Sequence, residues 1–477
     1  MKKIILPLIL LTGLLLRLYH NTSIALWHDE AFSALYIKYG WAEMMHRIAL
    51  DVHPPLYYLV LRLWNYILGN GLLSLRLMSI AFGIATIYAG YLLVKQISKN
   101  ETWALVTAFA LALNPFQIQY ALEARMYTLG TFLALLSSYY LLKSLETNRR
   151  KDWVIYGVLI AASIYTHYYL VFTVAAQALY ALYVMVKDKK INFHLIGAYL
   201  LSVILFLPWL KVFFRQLNQV EQSFWIPAAD RWSVPGTIWK MIFGGSGQTH
   251  GILIITLIIT AIALGYFIKL KQQQKWLILL GLVVPFFGSI LISLKTSIYL
   301  DRYFVFASLF FSIVIGMTFS EIKNYAARRT LLAVFFALSA IWFFKNWQEI
   351  KLGPGMAAAA EQINENATPN DKIYVGSSFV YFTFKYYNHT QIKPLLVSSG
   401  PLETIPHFSG TALLNDDDLI LDFKPTAKGS QVWLVWTTGF GGSKPLVPGN
   451  WRLVEENAYT DTPDFKGQIF IDQYRVN

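Results

Sequence analysis

Apolar residues in this chain come in long unbroken runs, without the alternation of half-buried strands. As a helix, roughly 20 such residues cross about 30 Å of hydrocarbon, and fewer suffice where protein surrounds the helix. Runs of this kind fall near 4–20, 72–94, 102–115, 127–143, 153–167, 169–186, 193–210, 251–268, 276–294, 303–319 and 330–345. They predict about eleven transmembrane helices. The runs near 102–115 and 153–167 are short and end at Asn114-Pro115 and Thr166-His167, turns where a helix stops or bends. The first run follows Met1-Lys2-Lys3, as in a signal peptide. No small-residue cleavage site follows and Arg17 interrupts its end, so it reads as a retained span.

The pattern changes beyond about residue 346, where apolar runs shorten and turn residues become frequent. A helix start at 355–364, strands at 372–376, 394–397 and 431–436, and a helix at 379–387 predict a small α/β domain. The fold class is therefore a polytopic α-helical membrane protein over 1–345 with a small α/β domain over 346–477. Asp416-Asp417-Asp418 reads as a solvated surface turn. The sequence has no internal repeat and no low-complexity tract.

Composition agrees: of 477 residues, 56% are hydrophobic and only 14% charged, where soluble domains carry about a quarter. The net charge of +13 raises the question of nucleic acid, and the placement of the charge answers it. Lysines and arginines collect in alternate short links. These hold Lys2 and Lys3, Lys95 and Lys99, Lys143 with Arg149 to Lys151, Lys187 to Lys190, Lys269 to Lys275, and Lys323 to Arg329. That is a topology signal and no nucleic-acid footprint; it puts the N-terminus and these links in the cytoplasm. The loop 21–71, the turns 114–126 and 295–302, the loop 211–250 and the C-terminal domain then lie outside. With no cysteine, disulfides and cysteine-ligated zinc are excluded.

The outer loop 21–71 holds the densest polar chemistry. Its segment 56–68 is too short to span and return, and suits a helix at the outer interface; 41–50 reads as another. Trp27-His28-Asp29-Glu30 brings an adjacent carboxylate pair beside a bilayer, where ionisable groups are costly and mark function by default. A carboxylate there can act as general base; an exposed acidic turn is the plain alternative. Asp51-Val52-His53-Pro54-Pro55 follows, and its prolines hold His53 extended, which aims a side chain. The same prolines suit the opening of a helix.

Glu123-Ala124-Arg125-Met126-Tyr127 places Arg125 at the outer boundary, where its planar fork suits a phosphate. An ion pair with Glu123 or snorkelling would account for it equally. His167-Tyr168-Tyr169 and Asp301-Arg302-Tyr303 lie on the same side. Aromatic belts and helix anchoring are their structural explanations. Asp29, Glu30, Asp51 and His53 have the donor chemistry for a divalent cation, yet no spacing diagnoses a metal and none is assigned. Carboxylates and cations converging at one boundary suit a reaction on a lipid-linked, phosphate-bearing substrate. A transporter or flippase of lipid-linked sugars is the alternative, although transporters place ionisable groups near the bilayer midplane. A non-catalytic subunit whose tail binds envelope glycans ranks third.

Asp29-Glu30 followed by Asp51-Val52-His53-Pro54-Pro55-Leu56 resembles the GT-C class of membrane glycosyltransferases. The nearest type is the protein O-mannosyltransferase-like group, which includes the lipid A aminoarabinose transferases. Glu123 to Tyr127 and His167 to Tyr169 are similar to that group too, and the likeness covers roughly the first 210 residues. It implies a GT-C-like fold and inverting sugar transfer from a polyprenyl-phosphate donor to an envelope acceptor on the outer face of the inner membrane. It implies Asp29 as the base, Glu30 as its support, and His53, Arg125 and Arg302 as donor-phosphate ligands. Asp51, Glu123, Tyr127, His167 and Tyr168 complete the expected substrate-binding set. The eukaryotic O-mannosyltransferases carry Gly-Lys where Tyr57-Tyr58 stands, and the aminoarabinose transferases carry lysine where His53 stands. The sugar and the acceptor are left open by these departures.

Overall fold

The computed structural model describes residues 2–19, 21–222, 225–245, 248–349, 355–424, 426–461 and 467–477. Its chain divides into two compact units. The first, here the helical unit, comprises Met1–Tyr19, His53–Trp64 and Arg76–Asn346. The second, the C-terminal unit, comprises His20–Val52, Asn65–Leu75 and Trp347–Asn477. Residues 350–354, a little beyond the expected boundary near 346, lie outside the described set.

The helices run in order α1 (Lys2–Leu18), α2 (His28–Tyr36), α3 (Trp41–Leu50), α4 (Leu56–Leu68), α5 (Leu72–Ser98), α6 (Glu101–Leu113), α7 (Pro115–Ala121), α8 (Tyr127–Thr147) and α9 (Arg150–Thr166). They continue with α10 (Val171–Asp188), α11 (Phe193–Gln222), α12 (Ser233–Phe243), α13 (His250–Ile268), α14 (Lys275–Ser293), α15 (Val305–Glu321), α16 (Tyr325–Glu349), α17 (Gly355–Asn366) and α18 (Ser378–Tyr387). Each expected span coincides with a helix. Among the described residues six are long and apolar enough to cross a membrane: α5, α11, α13, α14, and α10 and α15 each together with the 3-10 turn before it (Tyr168–Asp188 and Asp301–Glu321). Residues 4–18 of α1, and α6, form shorter apolar helices.

In the helical unit, burial separates centre from rim. The α15 span is 83% buried within the protein, against 22% for α11 and α13, so α15 is the central helix and the other two face lipid. Close approach uses small residues, as in other membrane bundles. A Cβ on Gly157 of α9 would lie 2.6 Å from the Ala198 carbonyl oxygen of α11. Arg17 is 1% exposed at the end of α1. Its guanidinium donates to the carbonyls of Gly13 (3.1 Å), Ala112 (3.0 Å) and Leu111 (3.4 Å). The last two are open carbonyls at the C-terminal end of α6, where a cation also meets the negative end of the helix dipole.

Two connections between expected spans are more helical than the sequence pattern suggests. The turn after span three contains α7, started by Asn114, whose side chain accepts from Gln117 N, with Pro115 at the first helical position. The expected loop 211–250 begins as the end of α11 and contains α12.

The C-terminal unit is built on a six-stranded sheet in the order β3-β2-β1-β4-β6-β5. The strands are β1 (Lys372–Val375), β2 (Leu395–Val397), β3 (Leu419–Ile420), β4 (Gln431–Thr437), β5 (Trp451–Thr460) and β6 (Gln468–Val476). β3, β2, β1 and β4 pair in parallel, while β4–β6 and β6–β5 are antiparallel. Tyr374, Ile420, Val432, Leu434 and Tyr474 form a core on it. The expectation of a fully solvated turn at Asp416 to Asp418 is corrected here. Asp417 is 75% exposed, but Asp418 is 1% exposed and lies within 3.5 Å of Lys385 Nζ and 3.1 Å of Lys393 Nζ. It also accepts from Asn415 N at 3.0 Å and Tyr381 OH at 3.2 Å. A buried carboxylate persists when cations and hydrogen-bond donors surround it in this way.

Candidate functional site

The expected site residues divide between the units, and each group is built locally. In the C-terminal unit, Asp29 and Glu30 lie in the first turn of α2, where carboxylates complement the helix dipole. The carboxylate pair is thus part of a helix rather than of a loose turn. Glu30 is fully buried and reaches back to Trp27 N at 3.4 Å, holding the helix start. Asp29 is half-buried, and its carbonyl accepts from Ser33 Oγ at 3.1 Å. Asp51 is 8% exposed and ends α3, its N–H donating to the carbonyls of Arg47 and Ile48.

What holds α2 is aromatic. Phe32 meets Phe382 edge to face at 5.1 Å, and His28 lies 5.4 Å from Phe379 and 5.5 Å from Phe382, both on α18. Tyr387 OH accepts from Leu26 N at 2.9 Å. Gly410 lets this cluster close: its φ is +86°, and a Cβ there would approach Phe382 to 2.3 Å and Phe32 to 2.8 Å. α3 is tied down by Arg47, which donates to Ala412 O at 3.2 Å and Asn415 Oδ1 at 2.8 Å, and pairs with Glu43 at 2.6 Å.

In the helical unit, the polar residues gather where helices end. His53 precedes α4, Arg125 lies in the bend between α7 and α8, Tyr127 begins α8, and His167 follows α9. Arg125 is 2% exposed, and its Nη2 lies 3.2 Å from His53 Nε2. Arginine has no acceptor, so the guanidinium donates and His53 carries its lone pair on Nε2. His167 Nδ1 accepts from Tyr169 N at 3.1 Å, which puts the proton of the neutral ring on Nε2. His167 lies within electrostatic reach of His53 and Arg125, and its ring packs 6.2 Å from Tyr127 and 4.9 Å from Tyr303. Tyr168 OH donates to Gln216 Oε1 at 2.5 Å and accepts from Trp209 Nε1 at 2.9 Å. Gln216 in turn donates to His53 O at 3.4 Å. His53, Arg125, Tyr127, His167 and Tyr168 thus belong to one connected cluster.

Arg302 is in the 3-10 turn before α15, next to Tyr303 of that cluster. The turn is fixed by Asp301, which accepts from Lys240 Nζ at 2.5 Å and Thr237 Oγ1 at 2.7 Å. Glu123 contributes its carbonyl to Arg125 N at 2.8 Å. Gln216 lies in 211–250, where the sequence pattern predicts a loop; continuing the helical period past Pro208 brings it into α11. Among the described residues no group of three or more His, Asp or Glu side chains is arranged to hold a metal ion.

Residues 52–211 match the family model described as dolichyl-phosphate-mannose-protein mannosyltransferase. The match includes His53, Glu123, Arg125, Tyr127, His167 and Tyr168, and leaves out Asp29, Glu30, Asp51 and Arg302. A search of curated protein sequences finds no match. Among solved structures, the chain is similar to ArnT from Cupriavidus metallidurans bound to undecaprenyl phosphate, with TM-score 0.60, 12% identity and 97% of each chain covered. It is also similar to the archaeal oligosaccharyltransferase AglB from Archaeoglobus fulgidus, solved in complex with an inhibitory peptide and a dolichol-phosphate. There the TM-score is 0.53 and the identity 12%, over 82% of this chain and 64% of the other. These likenesses show that the chain shares the overall fold of these two proteins.

Proposed function

We propose that this chain, a GT-C class glycosyltransferase of the protein O-mannosyltransferase-like type, transfers a sugar from a polyprenyl-phosphate donor to a cell-envelope acceptor. Transfer takes place on the outer face of the inner membrane, with the N-terminus cytoplasmic and the C-terminal unit outside, as the alternating basic links indicate. The observation that carries the reading is the buried Arg125 paired with His53 inside the stretch matching the family model. A guanidinium's planar fork offers several donors in one plane, the geometry that matches a phosphate.

In the reaction the acceptor's nucleophilic atom bonds to the anomeric carbon as the bond from that carbon to the phosphate oxygen breaks. The configuration inverts, and polyprenyl phosphate leaves with the electron pair. Asp29 takes the acceptor's proton, a role for a positioned carboxylate with access to substrate. Glu30, committed to the start of α2, supports it. Arg125, His53 and Arg302 stabilise the charge that develops on the departing phosphate. The two ArnT and AglB structures carry polyprenyl phosphates by their descriptions, and that supports a ligand of this class here.

The test is transfer of label from a panel of polyprenyl-phosphate sugars, using purified protein and envelope extract. The expected result is covalent label on an extract component and release of polyprenyl phosphate from one donor. Movement of intact donor across a vesicle membrane without covalent transfer would replace the enzyme with a transporter.

A further inference from the structure

The C-terminal unit contains a shallow concavity of about 730 Å³, open to solvent, which the proposed reaction does not use. It lies between α17 and the antiparallel end of the sheet. The strand register explains its floor and one wall. Trp433 of β4 pairs with Gln473 of β6, and Gln473 with Glu455 of the edge strand β5, so the three share one face. Gln431, Asn457 and Tyr459 continue that face at two-residue steps. Helix α17 supplies the other wall through Glu361, Gln362, Glu365 and Asn366.

The lining is rich in amides and poor in cations. Gln362, Asn366, Gln431, Asn457 and Gln473 bring five carboxamides, and no lysine, arginine or histidine lines the space. Arg452 and Arg475 follow on the same face beyond the lining residues. The polar groups orient one another. Gln473 Nε2 donates to Gln431 Oε1 at 2.7 Å, Tyr459 OH to Gln362 Oε1 at 2.9 Å, and Asn457 Nδ2 to Glu455 Oε1 at 2.7 Å. Each such amide keeps further donor and acceptor capacity after that bond. Trp433 is buried beneath these groups, its Nε1 donating to Asp371 at 3.0 Å, and serves as the floor that supports them.

Fixed amides and carboxylates beside the partly exposed Tyr459 ring match a polyhydroxylated ligand, whose hydroxyls both donate and accept. Three glutamates in the lining disfavour a phosphate or uronate. We propose that this concavity is a carbohydrate-binding site for a neutral oligosaccharide, separate from the groups that carry out transfer. In the proposed reaction it holds a distal part of a glycan acceptor; that role rests on the transferase reading, whereas the binding itself does not.

The experiment uses the full chain in detergent with fluorescently labelled neutral oligosaccharides: linear glucan, mannan and N-acetylglucosamine oligomers. A phosphorylated oligosaccharide serves as the charged control. The expected result is saturable binding of at least one neutral oligomer and none of the phosphorylated control. The double variant Asn457→Ala/Gln473→Ala, whose side chains lie at the surface of the unit, should weaken that binding about tenfold, the worth of two neutral hydrogen bonds. Donor binding should be unchanged in that variant, which also reports that it is folded. No binding of any neutral oligomer up to millimolar concentration, preference for the phosphorylated control, or full binding by the double variant would each overturn the proposal. Oligosaccharide binding with no sugar transfer from any donor would overturn only the transferase reading.

Discussion

The two units handle polar chemistry in opposite ways. In the helical unit an apolar core packs around α15, and three of the proposed donor-site residues lie where helices stop: His53 before α4, Arg125 between α7 and α8, His167 after α9. There the polar backbone of a helix end already calls for partners, so charged and imidazole side chains fit at low cost. In the C-terminal unit the carboxylate pair sits inside a regular element, α2, which is docked through Phe32 and His28 onto α18. The two groups therefore have separate supports. The cations proposed for a leaving phosphate depend on helix ends in the helical unit, and the carboxylate proposed as base depends on an aromatic cluster with α18, far along the chain.

That division is broken most severely at Asp29. Asp29→Asn should lower transfer by roughly 10²–10⁴-fold, the usual worth of a positioned general base. Glu30→Gln should cost less, and a dead Glu30→Gln beside an active Asp29→Asn would reverse the two roles. Next comes the support of α2. Phe382→Ala should destabilise the C-terminal unit by about 3–5 kcal/mol, typical of a buried phenylalanine, and lower transfer through a mislaid α2. Thermal unfolding followed by near-ultraviolet circular dichroism measures the first effect; a fall in transfer at unchanged donor affinity measures the second.

On the helical side, Arg125→Ala should weaken donor use by about 1.5–3 kcal/mol, roughly tenfold to a hundredfold. Lysine should restore only part of it, lacking the planar fork. Arg302→Ala, assayed in the same donor titration, should act in the same direction. The smallest effect is one of pH. Burial works to raise the Asp418 carboxyl, but Lys385, the Asn415 N–H and Lys393 outweigh it and hold it below its ordinary value. A carboxylate lowered in the folded state adds stability above about pH 3.9, and that stability fades as pH falls through the lowered value. Melting temperatures from pH 7 down to pH 3 should therefore drop less steeply for Asp418→Asn than for the wild type.

Much of the helical unit was legible because long apolar runs are read without knowing any contact; each expected span coincides with a helix. The segments 41–50 and 56–68, expected as short helices, are helical as well. α2 was not legible, since nine residues with mixed polarity give no clear period and its stability comes from Phe379 and Phe382, some 350 residues away. β1, β2 and β4 stood out as short apolar runs between turns, whereas β5 did not. β5 is an edge strand whose Arg452, Glu455 and Glu456 face solvent, and polar edges hide the strand signal. Within the site, the motifs around His53, Arg125 and His167 were visible as residues, but the links through Gln216 and Tyr168 depend on α11 extending to Gln222.

The central claim is that the acidic pair on α2 does chemistry while the cluster around Arg125 holds the donor. Donor affinity measured side by side for Asp29→Asn and Arg125→Ala, with one labelled polyprenyl-phosphate sugar and purified protein, tests it most directly. The account predicts wild-type affinity for Asp29→Asn, which fails only in transfer, and affinity weakened at least tenfold for Arg125→Ala. Donor binding lost in Asp29→Asn, or kept in full by Arg125→Ala, would contradict it.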